Sequence, residues 1–299
     1  MRSIRHPATL LCFWDYDTQW GADRSRSGGG AKDWGRQEFD HTERLLETHA
    51  EYGVRACFAV VGAAALSGDR PYHDPAQIRR IHEAGNEVAS HSFHHDWLPG
   101  LDSRGVLKTL QRSKDALEQC IGAPVISFVP PYNQPYDYPQ GWAFSFSERR
   151  RAGAERTDLR GLCVALKTSG YRFCRVAYRP LPLQAVERVL RRQFDKPAHV
   201  EDIAGIACVR INTRFGFADY AIQMLRRTVE QGGLTVVYGH PHSIMGGDGQ
   251  NLAHYVKFLR IATDLRRQGK LRIATPRELV QEPAVQTAPA GTGISAYGA

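Results

Sequence analysis

The chain has 299 residues, of which 42% are hydrophobic and 23% charged, and a formal net charge of +8. That length admits one large domain or two modest ones, and the balance is ordinary for a soluble globular fold. No apolar run reaches the roughly 18 residues of a membrane span, so no transmembrane helix is expected.

Six cysteines, at positions 12, 57, 120, 163, 174 and 208, form no C-x-x-C pair. They read as reduced core thiols rather than as a disulfide framework or a zinc knuckle. The positive charge fits either a basic surface or an anionic substrate such as a nucleotide sugar or lipid-linked phosphate sugar. No nucleic-acid-binding motif is recognisable, so nucleic acid is not an expected partner.

The start, MRSIRHPATLLCFWDYD, has an apolar stretch too short for a signal-peptide core. It runs into acidic residues without a small-residue cleavage site. Residues 8–14 therefore read as a first buried strand, and the protein as cytoplasmic.

Residues 18–36 follow, with Trp20, Trp34, arginines, Lys32 and three glycines in a row. Glycine permits motion and tryptophan packs on sugar faces, so this stretch is expected to be a flap that offers Trp20 and Trp34 to substrate. Phe39, Thr42, Leu45, Leu46 and His49 share one face of a helix over 39–51, stopped by Gly53. A second strand spans 54–61, a short helix 75–84, and a third strand 87–90. Residues 103–120 form a helix with Val106, Leu107, Leu110 and Leu117 inward, and 125–128 a fourth strand.

The second half is less regular. The basic segment 148–160 reads as surface. Helices are expected at 184–193, 218–231 and 251–267, and strands at 206–211, 234–239 and 271–274. The remainder from Gln281 is rich in Ala, Pro, Gly and Thr and reads as a disordered tail after a single domain over 1–280. Strands alternating with helices indicate a parallel α/β fold of about seven strands, a barrel or an open sheet. Either binds its ligand at the carboxyl ends of the strands.

The polar residues at those ends are the candidates for chemistry. Asp15 and Asp17, two apart on an extended chain, point to one face, where they repel unless a cation or base lies between them. His91 and His95 face one side if their segment is a helical turn, a spacing that can hold a metal. Ser92 stands where a zinc protease would carry its glutamate base, so a metalloprotease is not expected. Pro130 and Pro131 stiffen the loop that presents Tyr132 and Asn133. His240 ends a buried strand, a suitable place for an acid–base group.

These motifs in this order resemble the polysaccharide deacetylase, or NodB-homology, family. The resemblance rests on Asp15 and Asp17, GVRACFAVVG, EAGNEVASHSFHH, FVPPYN, VVYGH and KLRIATPREL, and spans residues 8–280. It implies a distorted (β/α) barrel with one divalent metal, zinc first, with cobalt, nickel, manganese or iron as alternatives. By it, Asp17, His91 and His95 are the ligands, Asp15 the general base and His240 the general acid. The Tyr132 backbone N–H would help hold the oxyanion, and Trp20, Trp34, Pro131, Tyr132 and Asn133 would contact substrate.

The chemistry that the resemblance implies is that of a metal-dependent deacetylase. An amide carbonyl needs polarising, the attacking water must lose a proton, and the leaving nitrogen must gain one. The sequence departs from the family at Val129, where an arginine usually orients the base, and at Asn133, where glycine is common. The fourth-motif aspartate and tryptophan are not evident over 145–180.

The leading expectation is removal of an acyl group, acetyl first, from the amide nitrogen of an N-acylated sugar or sugar conjugate. Hydrolysis of a small cyclic or linear amide is the alternative. An inactive carbohydrate-binding homologue is a second class. A non-haem iron oxygenase, which also uses two histidines and a carboxylate, is disfavoured by the α/β pattern.

Overall fold

A computed structural model describes residues 8–25, 30–133, 159–176, 196–213, 216–246 and 249–281, with 186, 189 and 190 besides. The founding element is β1 (Thr9–Tyr16), buried along its whole length. Its side chains alternate between two apolar layers. Leu10, Cys12, Trp14 and Tyr16 belong to an outer layer under the helices, and Leu11 and Phe13 to an inner one. The two-residue period then carries Asp15 to the inner face at the carboxyl end.

Strand β1 pairs in parallel with β2 (Cys57–Val60) along its second half and with β9 (Arg272–Ala274) along its first. Its other side takes β8 (Leu234–Gly239). From β2 the sheet continues in parallel through β3 (Glu87–Ser90), β4 (Ser127–Phe128), β5 (Phe173–Val176) and β7 (Ile206–Arg210). β6 (Val200–Ile203) is added antiparallel at the edge.

The sheet curls until its ends meet. Ala198 and Leu234 exchange backbone hydrogen bonds of 2.8 Å. Asn212, beyond β7, donates to Leu234 O (2.9 Å) and accepts from Val236 N (3.0 Å). A side-chain amide thus satisfies β8 backbone groups that a further strand would otherwise pair.

Helices cover the outside. They are α1 (Thr18–Arg24), α2 (Trp34–Tyr52), α3 (Pro75–Glu83), α4 (Ser103–Ile121), α5 (Leu159–Thr168), α6 (Asp219–Gln231), α7 (Leu252–Arg267) and α8 (Pro276–Gln281). Their limits follow local chemistry. Asp74, Asp102 and Asn251 each accept a backbone N–H from the first turn of the helix they begin. Gly53 and Gly122 end α2 and α4 at φ 56° and 68°, a conformation open to glycine without strain. Below the helices Trp14 is fully buried against Phe217 and Tyr255, each with ring centroids 5.0 Å away.

The expected distorted parallel barrel is therefore present, with nine strands among the described residues in place of about seven. The two extra are β5, whose apolar run is broken by Arg175, and β6, whose sequence VEDI is acidic and mostly exposed. The helix expected over 39–51 begins earlier, at Trp34. The segment expected as a flap is partly regular structure. Residues 18–24 are helical with Thr18, Gln19, Gly21 and Ala22 buried, and Trp34 already opens α2. Residues 26–29, the basic segment 148–158, most of 184–193 and the tail from 282 lie outside the described residues. None of the described helices is long and apolar enough to cross a membrane.

Candidate active site

The carboxyl ends of β1, β3, β4, β5 and β8 converge on one polar cluster. Asp17 lies one residue past β1, with 13% of its side chain exposed. Its Oδ1 is 3.3 Å from His91 Nε2 and 3.5 Å from His95 Nε2. One ligand atom from each of the three residues lies within 4.8 Å of the others, and no second group of this kind occurs among the described residues.

Asp17 Oδ1 is buried and has no hydrogen-bond partner among the described residues. Such an atom is costly unless something meets it. His91 donates from Nδ1 to Val129 O (2.7 Å), which leaves Nε2 with its lone pair toward Asp17. An unsatisfied carboxylate oxygen beside two imidazoles, one tautomer fixed by a carbonyl, is a donor set that suits a divalent metal.

The space around Asp17 is tailored. A Cβ on Gly21 would lie 2.5 Å from Asp17 Cβ and 2.9 Å from its Cγ, so only glycine leaves that carboxylate in place. Burial opposes the charge on Asp17, but His95, His91 and His240 outweigh it and hold the carboxyl below its usual range. Burial likewise favours neutral His91, yet the Asp17 and Asp15 carboxylates hold its pKa above the ordinary value.

The two histidines do not converge through a helical turn, as the sequence spacing had suggested. Ser92 and His95 adopt φ of 62° and 59°, and the segment is a compact bend. Thr109 on α4 accepts from Phe93 N (2.9 Å), and Ser92 Oγ accepts from Asp96 N (2.7 Å). Those bonds offset the cost of two left-handed residues.

Asp15 is buried at 4% exposure and clasped by Arg175, itself 1% exposed. The guanidinium donates from Nη1 to Oδ1 (2.8 Å) and from Nη2 to Oδ2 (2.6 Å). It lies over Phe13 and Tyr238, 5.1 Å and 4.7 Å from their ring centroids. Burial alone would raise the Asp15 pKa, but Arg175, His91 and His240 bring it below its usual value. This arginine answers the departure at Val129. Val129 is fully buried in the inner apolar layer, and Asp15 is held instead from β5.

His240 follows β8, with 22% of its side chain exposed and Nε2 3.9 Å from Asp17 Oδ2. Its backbone N (2.8 Å) and its Nδ1 (3.3 Å) both donate to Gln250 Oε1, a buried amide oxygen. Tyr132 adopts φ 60° after the two prolines, and its ring packs edge-on against His95 with centroids 4.4 Å apart. Its hydroxyl donates to Arg24 O (3.0 Å) and His95 O (3.3 Å), which ties α1 to the bend that carries His91 and His95. Pro131 is buried at the start of this turn, and the Asn133 side chain lies outside the described residues.

The two tryptophans expected to meet substrate pack within the protein. Trp20 lies among Tyr72, His73 and His94, with Arg24 5.1 Å above its ring. Trp34 stacks on His242 with centroids 4.4 Å apart and an interplanar angle of 14°.

Sequence reasoning missed three side chains: Arg175, Gln250 and Glu38 of α2. Glu38 is fully buried and accepts the Thr18 amide, and His242 Nδ1 is 4.0 Å from its Oε1. Burial and the neighbouring Asp17 carboxylate push its pKa well above the usual value. The one usable signal for Arg175 was a lone charge in the apolar run FCRV.

A curled parallel sheet thus carries a carboxylate–arginine pair, an Asp-His-His cluster and a strand-end histidine together at one end of a (β/α) scaffold. Residues 33–140 match the family model described as polysaccharide deacetylase. A solved protein from Mycobacterium smegmatis assigned as a polysaccharide deacetylase superposes with a TM-score of 0.62 at 17% identity, covering 97% of each chain. Looser similarities include an acetyl xylan esterase of family 4 from Clostridium thermocellum in complex with cobalt. It has 14% identity and a TM-score of 0.45, over 91% of this chain and 89% of that one. Another is a family 4 pseudoenzyme from Bacillus anthracis, with 14% identity and a TM-score of 0.47, over 92% and 66%. The chain is thus similar to the polysaccharide deacetylase family over residues 33–140 and shares its fold with the Mycobacterium smegmatis protein.

Proposed function

We propose that the protein is a metal-dependent hydrolase that removes an acyl group, acetyl first, from the amide nitrogen of an N-acylated sugar or sugar conjugate. The observation that carries this reading is the pairing of the Asp17–His91–His95 cluster with a separate, arginine-held carboxylate at Asp15. A structural ion pair alone would not call for the unsatisfied Asp17 Oδ1 beside it.

Asp17, His91 and His95 would hold the metal, zinc before cobalt, nickel, manganese or iron. When bound, that ion polarises the acyl carbonyl and eases deprotonation of water. The chain's own residues carry the proton traffic. Asp15, kept ionised by Arg175, takes the proton of the attacking water on its carboxylate. His240, oriented by Gln250 through Nδ1, delivers a proton from Nε2 to the leaving nitrogen, because an amide anion is too basic to depart. The Tyr132 amide contributes a donor to the oxyanion. Trp20 and Trp34, each partly exposed beside its packing partners, are with Pro131 and Asn133 the candidate sugar contacts. The catalytic unit spans residues up to 280, acting on a soluble or lipid-linked sugar in the cytoplasm, and the net charge of +8 suits an anionic one.

The test is release of free acid from N-acetylated sugars, sugar phosphates and chito-oligosaccharides by the zinc-loaded protein, with cyclic amides assayed alongside. Acetate released by wild type and lost in Asp15→Asn supports the reading. Turnover confined to cyclic amides moves the substrate class, and no turnover on any of them argues for a binding homologue.

A further inference from the structure

One face of α2 touches both halves of the site. Trp34, Glu38 and His41, spaced four and three apart, lie on the same side of the helix. His41 Nδ1 donates to Pro241 O (2.9 Å), and Trp34 stacks on His242. Both contacts hold the short turn Pro241–Ser243 that follows His240.

Between them stands Glu38. It is fully buried, and its Oε2 accepts the backbone N–H of Thr18. Thr18 is left-handed at φ 53°, so the chain turns sharply just after the metal-side aspartate and needs a fixed acceptor there. The second oxygen, Oε1, is buried with no hydrogen-bond partner among the described residues, and lies 4.0 Å from His242 Nδ1.

We infer that Glu38 is a positioning residue that ties the Asp17–Thr18 turn to the His240 loop, so that the metal side and the proton-donating side keep one spacing. It touches neither substrate nor the reacting atoms. A carboxylate reaching two strand ends from one rigid helix does this better than two separate loop contacts, because α2 is anchored along its length by Phe39, Thr42, Leu45 and His49. The inference rests on the proposed metal reading for its consequence, though not for its geometry.

The test is hydrogen exchange at backbone amides of the metal-free protein, followed by cobalt(II) titration against a competing chelator. In Glu38→Ala, segments 17–20 and 240–243 should both exchange at least tenfold faster, while 9–13 of β1 stays protected. Cobalt affinity should fall about 10- to 100-fold with a changed visible spectrum. Glu38→Gln keeps an acceptor for Thr18 and should recover most of both. If Glu38→Ala does not fold, His242→Ala carries the test from the other side and should loosen 17–20. Unchanged exchange at either segment in a folded variant overturns the tie. Loosening at both, with a wild type that takes up no cobalt, would leave the tie standing and sink the metal reading instead.

Discussion

Replacing Arg175 by methionine should expose what holds Asp15. The guanidinium makes two charge-assisted bonds, of 2.8 and 2.6 Å, to a carboxylate that is 4% exposed. Removing one partner of such a buried pair typically costs about 3–5 kcal/mol, because the other charge is left without compensation. For a domain of this size that is a fall in Tm on the order of 10 °C.

The loss should depend on pH in a set direction. In wild type the folded Asp15 pKa lies below the unfolded value. Its stabilisation is therefore full above about pH 4 and is lost as the pH falls through the folded value. In Arg175→Met, burial acts with less opposition, the folded pKa rises, and protonation relieves the buried charge. The gap between wild type and variant should thus shrink from pH 7 to pH 4. Urea unfolding of both proteins in chelator, across that range, measures it. A gap under about 1 kcal/mol at pH 7, or one of constant size, would refute the reasoning. Activity should fall with it, and Arg175→Lys, which cannot bond bidentately, should recover little.

Other outcomes follow from neighbouring contacts. Gly21→Ala forces a Cβ against Asp17 and should weaken metal binding tenfold or more while Tm moves little, read by chelator competition. Gln250→Ala removes the acceptor of the His240 ring and should lower kcat on the order of 10-fold or more with metal content unchanged, by assay and elemental analysis. His49 lies buried between Asn86 Oδ1 and Tyr255 OH, and burial lowers its pKa to about 4 despite the Asn86 bond. Its folded pKa is below its unfolded one, so stability should fall by about 3 kcal/mol as the pH drops from 6.5 to 4. His49→Gln should flatten that slope in denaturant titrations.

What the sequence could disclose was set by range. Asp15 and Asp17 were readable because strand alternation places both from local pattern alone, and His240 because it closes a buried apolar run. The barrel was readable for the same reason: most of its parallel strands are short apolar segments between amphipathic helices. The convergence of His91 and His95 was foreseen, but its cause was not. Two left-handed residues and a threonine from α4 make the bend, and nothing in the spacing reports them.

Arg175 is 160 residues from Asp15, on a strand so interrupted by charge that its apolar period fails. Gln250 and Glu38 are neutral to pattern reasoning, since a glutamine in a loop and a glutamate on a helix usually face water. Residues 18–36 were opaque for a different reason. Glycine there suggested mobility, while the buried face of Thr18, Gln19, Gly21 and Ala22 is recognisable only once Asp17 and Glu38 are placed beside it.

The central claim is that Asp17, His91 and His95 hold one metal ion. It is tested most directly by elemental mass spectrometry of the zinc-loaded, desalted protein, wild type beside His91→Ala. The account predicts close to one metal per chain in the wild type and loss of it in the variant, with both proteins folded. A wild type that retains no metal, or a variant that retains as much, would contradict it.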